Sequence, residues 1–311
     1  MRRKIIASGI IGILFGVGIF SICNISGTNN DNNDLFLSTD HFADDYSYLY
    51  ENVLTPPPVP THIEFCGEPV PMHQYWVREC IDRELINQCY QHSRTLLTLK
   101  RSTRFLPVIE KILKEENVPG DLMYLCIAES NLENVVSAAK AAGFWQFMES
   151  TGNSYGLEIN EWVDERYHLE KATQVACIHL KKLKAQFGNW ALAAAAYNMG
   201  ENGLAKKIKE QQIDNYWDLY LNQETARYLS RCIAYKLIFE NQKLYNIRIS
   251  EEDFYKPFEY KEVVITKTIE DLRTYCNEHN ILYRQLKELN PWLRSTKLPV
   301  HANKNYTIKV P

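Results

Sequence analysis

The sequence of 311 residues has no long basic run, and its formal net charge is only −3. Phosphate backbones are held by clustered Lys and Arg, so nucleic acid is excluded as a partner. No Cys-x-x-Cys pair and no Cys/His spacing of the metal-binding kind occurs, so no metal site is expected. Eight cysteines at this length do not make a disulfide framework. Cys126, Cys177 and Cys232 fall among apolar residues at helical spacing and read as buried free thiols. A pairing among Cys66, Cys80 and Cys89 stays open, because connectivity cannot be read from sequence. Apolar residues make up 45%, which excludes wholesale disorder and suits one medium domain plus a smaller one. Aromatic residues are plentiful, with 19 Tyr and 6 Trp; their flat faces suit sugar rings, and they also fill cores.

Arg2, Arg3 and Lys4 precede an apolar stretch from Ile5 to Ile22, which is followed by Cys23. Residues 1–23 therefore read as an export signal or a membrane anchor. At 18 residues the stretch is at the short edge of what spans a bilayer. Cys23 is a candidate lipidation site, although Ile22 stands where a small residue usually precedes such a cysteine. A retained anchor helix is the alternative. Residues 24–60 read as a tether: first Asn, Asp, Ser and Thr, then the stiff cluster Pro56, Pro57, Pro58 and Pro60.

From Gln74 to about Asn241 the apolar spacing is helical, and a mostly α domain follows. Residues 61–99 form an N-terminal helical extension and residues 100–245 the main domain. Pro119, Gly120 and Asp121 mark a helix start. Ala172 to Phe187, Trp190 to Tyr197 and Thr225 to Glu240 are expected helices. Residues 258–311 read as a separate module. It has a strand at Glu262 to Thr266, short helices at Ile269 to Glu278 and Tyr283 to Leu289, and a closing strand at Tyr306 to Val310. That is a βααβ order.

In the helix after Pro119, Leu122, Leu125, Cys126 and Glu129 share one face. Glu129 thus lies on an apolar stripe, where a carboxylate is paired, at a cleft edge, or functional. Burial would raise its pKa, as a general acid near neutral pH requires. A structural ion pair is the plainer reading of the same position.

Further residues decide between them. The chain reads Ala128-Glu129-Ser130, then Ser137 to Met148, with Gly143-Phe144-Trp145-Gln146-Phe147-Met148 at its end, then Ser150-Thr151-Gly152. Ala195-Ala196-Tyr197-Asn198-Met199-Gly200 and Glu224-Thr225-Ala226-Arg227-Tyr228 follow. Over about residues 100 to 245 this closely resembles the family 1 lytic transglycosylases with a soluble lytic transglycosylase domain, of the membrane-bound lytic murein transglycosylase D type. Each motif alone is weak; four in order are specific. The resemblance implies a mostly α fold with a lysozyme-like catalytic domain. It implies Glu129 as the catalytic acid/base, with Ser130 beside it. It implies that Ser137 reaches toward that glutamate, that Gln146 and Met148 line the glycan groove, and that Tyr197 and Asn198 lie at the carboxyl. Glu224 is expected to contact substrate from the far wall, and Tyr228 to pack. Two positions depart from the family pattern: Lys140 stands where Gly is usual, and Glu149 where Pro is frequent. Trp145, Trp162 and Trp190 read as core.

A hydrolase of the usual kind needs two carboxylates. No second acidic residue stands in a matching motif near Glu129; Glu133 is expected to be solvated, and Asp164 and Glu165 to pair with Arg166 or a neighbour. The resemblance therefore implies a single acid/base that cleaves the MurNAc-GlcNAc bond of peptidoglycan glycan strands and leaves 1,6-anhydro ends. No cofactor is needed. The 258–311 module resembles, more weakly, a LysM glycan-binding unit, best at Leu289-Asn290-Pro291; Lys267-Thr268-Ile269-Glu270 replaces the usual Gly-Asp-Thr-Leu turn. The expected setting is the cell envelope, facing the periplasm, held to a membrane by the N-terminal segment or a lipid. A lysozyme-like muramidase and an inactive wall-binding protein are the alternatives.

Overall fold

The computed structural model describes residues 55–301 and 304–311. The expected anchor 1–23, Cys23 and most of the expected tether lie outside the described residues. Within the described part, residues 55–311 form one compact unit. No helix among the described residues is long and apolar enough to cross a membrane. All seven cysteines there are free thiols.

The unit is mostly helical. A short hairpin opens it, β1 (Glu64–Phe65) with β2 (Glu68–Pro69). Its turn residues Cys66 and Gly67 both have positive φ, at 57° and 74°, the two-residue geometry that matches strand twist. Next come α1 (Tyr75–Tyr90), α2 (His92–Glu115), α3 (Met123–Ser130), α4 (Glu149–Ser154), α5 (Leu169–Phe187), α6 (Trp190–Met199), α7 (Glu201–Gln211) and α8 (Gln223–Glu240).

Residues 191–196 of α6 are apolar on every side and all buried, as a helix must be when it is surrounded by others. Its alanines let α5 and α8 approach closely. Side-chain caps fix the helix starts: Asn189 Oδ1 accepts the Leu192 N–H at 2.8 Å, and Asn222 Oδ1 accepts the Thr225 N–H at 2.9 Å. Gly188 and Gly200, both with positive φ, end α5 and α6. α8 lies against α1, α3 and α6. Between α1 and α8 the carboxylate of Glu84 is buried. Arg227 Nε lies at 2.5 Å from Oε1 and Arg231 Nε at 3.6 Å from Oε2.

The C-terminal part has β3 (Lys261–Ile265), α9 (Leu272–Glu278), α10 (Tyr283–Leu289) and β4 (Tyr306–Val310). β3 and β4 pair antiparallel, from Lys261 opposite Val310 to Ile265 opposite Tyr306. α9 begins three residues later than its apolar spacing suggests, because Asp271 caps it by accepting the Arg273 N–H at 2.9 Å. This part does not stand apart from the rest. Its core of Leu272, Leu286, Trp292 and Ile308 is continuous with Ala142, Val163 and Tyr167. Backbone bonds cross the junction, from Asp164 N–H to Trp292 O at 2.9 Å and from Arg294 N–H to Trp162 O at 2.8 Å.

Candidate active site

α3 is short. The faces of Leu122, Leu125 and Cys126 are fully buried, and Glu129 follows on the same stripe one turn later. Asn131, at φ 52°, then ends the helix in the left-handed conformation that asparagine tolerates. Its side chain accepts the Tyr235 hydroxyl at 2.8 Å, which fixes the point where the helix stops. Ser130 is buried and donates back to Cys126 O at 3.0 Å.

The Glu129 side chain is half-buried, and its Oε1 accepts the Tyr228 hydroxyl at 2.7 Å. Burial pushes its pKa up to about 7. The Tyr228 hydrogen bond and the Arg231 charge pull the other way, and the Glu224 charge adds to the rise. Glu224 itself is exposed in the first turn of α8. Glu224 and Tyr228 are four residues apart, so one face of α8 presents both toward Glu129.

The hydroxyl that reaches the carboxyl therefore belongs to Tyr228, read from sequence as a packing residue, and not to Tyr197. The Tyr197 hydroxyl donates to Trp145 O at 2.7 Å. Tyr197 still lies within electrostatic reach of Glu129, in a ring cluster with Phe147, His179 and Trp145. Asn198 Oδ1 accepts the Thr225 hydroxyl at 2.9 Å and ties the end of α6 to the start of α8.

The loop from Val135 to Phe147 forms the neighbouring wall. Ser137 Oγ accepts the Ala141 N–H at 3.0 Å; it is exposed and braces this turn instead of meeting Glu129. The Gln146 amide turns inward and donates to Gly143 O at 2.7 Å and Val135 O at 3.0 Å. Met148 is exposed at the start of α4. Lys140 has φ 66°, a conformation that only glycine adopts without cost, which accounts for the glycine usual in the resembling family. A Cβ on Gly143 would stand 1.9 Å from Arg166 O, so the loop crosses the Arg166 backbone only because that position is glycine. Arg166 is paired with Asp164 at 2.7 Å and also donates to Lys140 O at 3.1 Å and Phe147 O at 3.2 Å, pinning the loop from beneath. Glu165 pairs with Lys171. Glu133 is not free in solvent: Arg101 Nη2 lies 2.5 Å from it. Trp145 is fully buried, with its indole N–H on Thr173 Oγ1 at 2.9 Å; Trp162 and Trp190 are half-buried.

Two family matches fall on these elements. The transglycosylase SLT domain matches residues 107–220, which span α3, the loop and α6. The soluble lytic transglycosylase C-terminal LysM-like domain matches residues 261–311. The chain carries a transglycosylase SLT domain followed by a LysM-like one. The membrane-bound lytic murein transglycosylase D of two strains of Escherichia coli is 34% identical over 183 residues. That match covers 57% of this chain and 40% of each relative. The chain thus spans well under half the length of these relatives. The solved structure of an inactive mutant of the lytic transglycosylase Slt from Pseudomonas aeruginosa is also similar, at 17% identity and a TM-score of 0.37, over 60% of this chain and 36% of that one. Tyr228 and Glu224 lie C-terminal to the SLT match, so the wall facing Glu129 is completed by a helix outside it.

Proposed function

We propose that the protein is a lytic transglycosylase of peptidoglycan, with Glu129 as its single acid/base. The observation that carries this reading is the Glu129 carboxyl: half-buried at the end of α3, held by the Tyr228 hydroxyl, with a pKa raised to about 7. Such a group is protonated often enough at neutral pH to donate, and ionised often enough to accept. Glu129 gives its proton to the oxygen of the MurNAc-GlcNAc bond as the C1–O bond breaks. As a carboxylate it then takes the proton of the C6 hydroxyl of the same MurNAc, whose oxygen closes on C1. The 1,6-anhydro end forms, no water is consumed, and Glu129 is again protonated. Tyr228 orients the carboxyl between the two transfers. Met148, Tyr197, Asn198 and Glu224 border the glycan, while Ser130, Ser137 and Gln146 hold the walls in place.

The LysM-like domain supports a glycan-binding role at the C-terminal end. The E. coli relatives are named as membrane-bound, which supports an envelope location reached through residues 1–23, by an anchor helix or by lipid on Cys23.

One observation favours a second reading. The charge of Glu224 bears on Glu129, and two carboxylates facing one cleft are what a hydrolase uses. Mass analysis of products from purified sacculi decides. Anhydro ends are expected, and their loss in Glu129→Gln; reducing ends heavier by one water would establish hydrolysis, and an active Glu129→Gln would remove Glu129 from the chemistry.

A further inference from the structure

A groove of about 570 Å³ lies on the side of α8 turned away from Glu129. Trp76, Glu79 and Arg83 of α1 form one wall, Trp217 and Tyr220 the other, and Ser230 of α8 lines it too. Tyr228 and Ser230 are two residues apart in one helix, a rotation of about 200°. The face that meets the Glu129 carboxyl and the face that lines this groove are therefore opposite. All of α1 lies N-terminal to the SLT match, so one wall of the groove is outside that match, while Trp217 and Tyr220 of the other wall stand at its C-terminal end.

The groove is preformed. The Trp76 indole N–H donates to Trp217 O at 2.8 Å, and Gln74 Nε2 donates to Asp218 Oδ1 at 3.0 Å, fastening α1 to the segment before α8. Yet two of its rings face solvent, Tyr220 at 88% exposed and Trp76 at 47%, and beside the groove Tyr75, edge-on to Trp76 at 5.1 Å, is 68% exposed. Large rings clustered in the open mark a binding surface more than a packing residue. Polar capacity is also left over. Ser230 Oγ is buried at the groove without a hydrogen-bond partner. Ser230 lacks its usual acceptor because Ala226 O already receives the Tyr216 hydroxyl at 3.1 Å and the Cys80 thiol at 3.7 Å. Flat rings for the C–H face of a pyranose, with the exposed polar side chains of Glu79 and Arg83 beside them and the unpaired Ser230 hydroxyl beneath, are the surface of a carbohydrate site.

We propose that this groove is a second glycan-binding site, which takes a stretch of β-linked N-acetylhexosamine strand outside the catalytic cleft. It rests on the reading of the protein as a peptidoglycan enzyme, and its use would be to hold the polymer while Glu129 acts elsewhere on it.

The test uses the full chain. Trp76→Ala/Tyr220→Ala and Tyr220→Ala alone are made in the wild-type and Glu129→Gln backgrounds. Tyr220 is so exposed that its truncation leaves folding intact, whatever Trp76→Ala does. Retention of the Glu129→Gln proteins on insoluble peptidoglycan is expected to fall about tenfold for the double variant and severalfold for Tyr220→Ala. In the active background the half-saturating amount of sacculi rises by the same factor, while cleavage of a soluble glycan tetrasaccharide is unchanged. Unchanged retention overturns the proposal, as does an equal loss on the tetrasaccharide, which would put these rings in the catalytic cleft. A wild-type protein that cleaves neither substrate defeats the proposed activity alone, since the retention assay still judges the groove.

Discussion

At the scale of single residues, the proton on Glu129 is the quantity to measure. Its pKa of about 7 is set by burial, moderated by the Tyr228 hydroxyl and the Arg231 charge, and raised by Glu224. On the proposed mechanism the free enzyme must carry that proton, so kcat/KM is expected to be flat below about pH 7 and to fall tenfold per unit above it. Tyr228→Phe deletes a hydrogen bond that favours the ionised form, so this alkaline limb should move to higher pH. A limb that moves down, or stays put, would mean the hydroxyl does not bear on the carboxyl. The same raised value has a cost in stability. An unfolded glutamate near 4.5 ionises more readily than the folded one. The penalty is absent below about pH 4.5, grows to about pH 7 and is full above it, at most about 3 kcal/mol. Glu129→Gln should therefore be more stable than the wild type at pH 8 and equal to it near pH 4.5. Thermal melts at the two pH values read this directly, and a gain that is the same at both would contradict the burial.

At the scale of elements, the interface of α1 with α8 is stitched by Glu84. The carboxylate is 1% exposed and meets Arg227 and Arg231 from the partner helix. Removing one side of a buried pair leaves the other charge without compensation. Glu84→Ala should cost about 3 kcal/mol, reduced somewhat by the partial exposure of Arg227 and Arg231, and seen as a lower urea midpoint with unchanged slope. A cost under about 0.5 kcal/mol would place the pair among ordinary surface bridges. These features differ in how visible they are beforehand. The helix bearing Glu129 is legible, because Pro119-Gly120-Asp121 starts it and Leu122, Leu125 and Cys126 fix its inner face. Tyr283 to Leu289 and Tyr306 to Val310 are legible from spacing alone, with the bounds the structure has. What spacing cannot show is which hydroxyl reaches the carboxyl. Tyr197 and Tyr228 sit on two helices that both lie in reach of α3, and the choice is made by how those helices cross. The partners of Glu84 are hidden for the same reason, since Arg227 stands 143 residues away in the chain.

At the scale of the whole molecule, the LysM-like domain and the SLT domain share a core, and acid pairs fasten their junction. Glu158 meets Lys304 and the Tyr306 hydroxyl, and Glu170 meets Lys309 and, at 3.2 Å, His168. Burial alone would raise the Glu170 pKa, but the nearby His168 ring and the hydrogen bond and charge of Lys309 outweigh it and hold it at about 2. Glu158 is likewise held below its ordinary value, its burial outweighed by Lys304, Tyr306 and Asn160. A carboxylate depressed on folding stabilises the fold above its unfolded value, and that stabilisation is lost as pH falls toward the folded one. For Glu170 the window runs from about pH 4.5 down to about 2. With its partial exposure allowed for, the pair contributes about 2 kcal/mol. Lys309→Ala should thus melt below the wild type at pH 7 and converge with it near pH 2. Because Val163 and Tyr167 are buried with Trp292 and Leu293, both proteins should unfold in one transition by calorimetry. Two separated transitions in the wild type, or a gap between the variants that persists at pH 2, would show that the LysM-like domain is carried as an independent body. The reach of the second glycan groove and the cleft would then have to be considered apart from it.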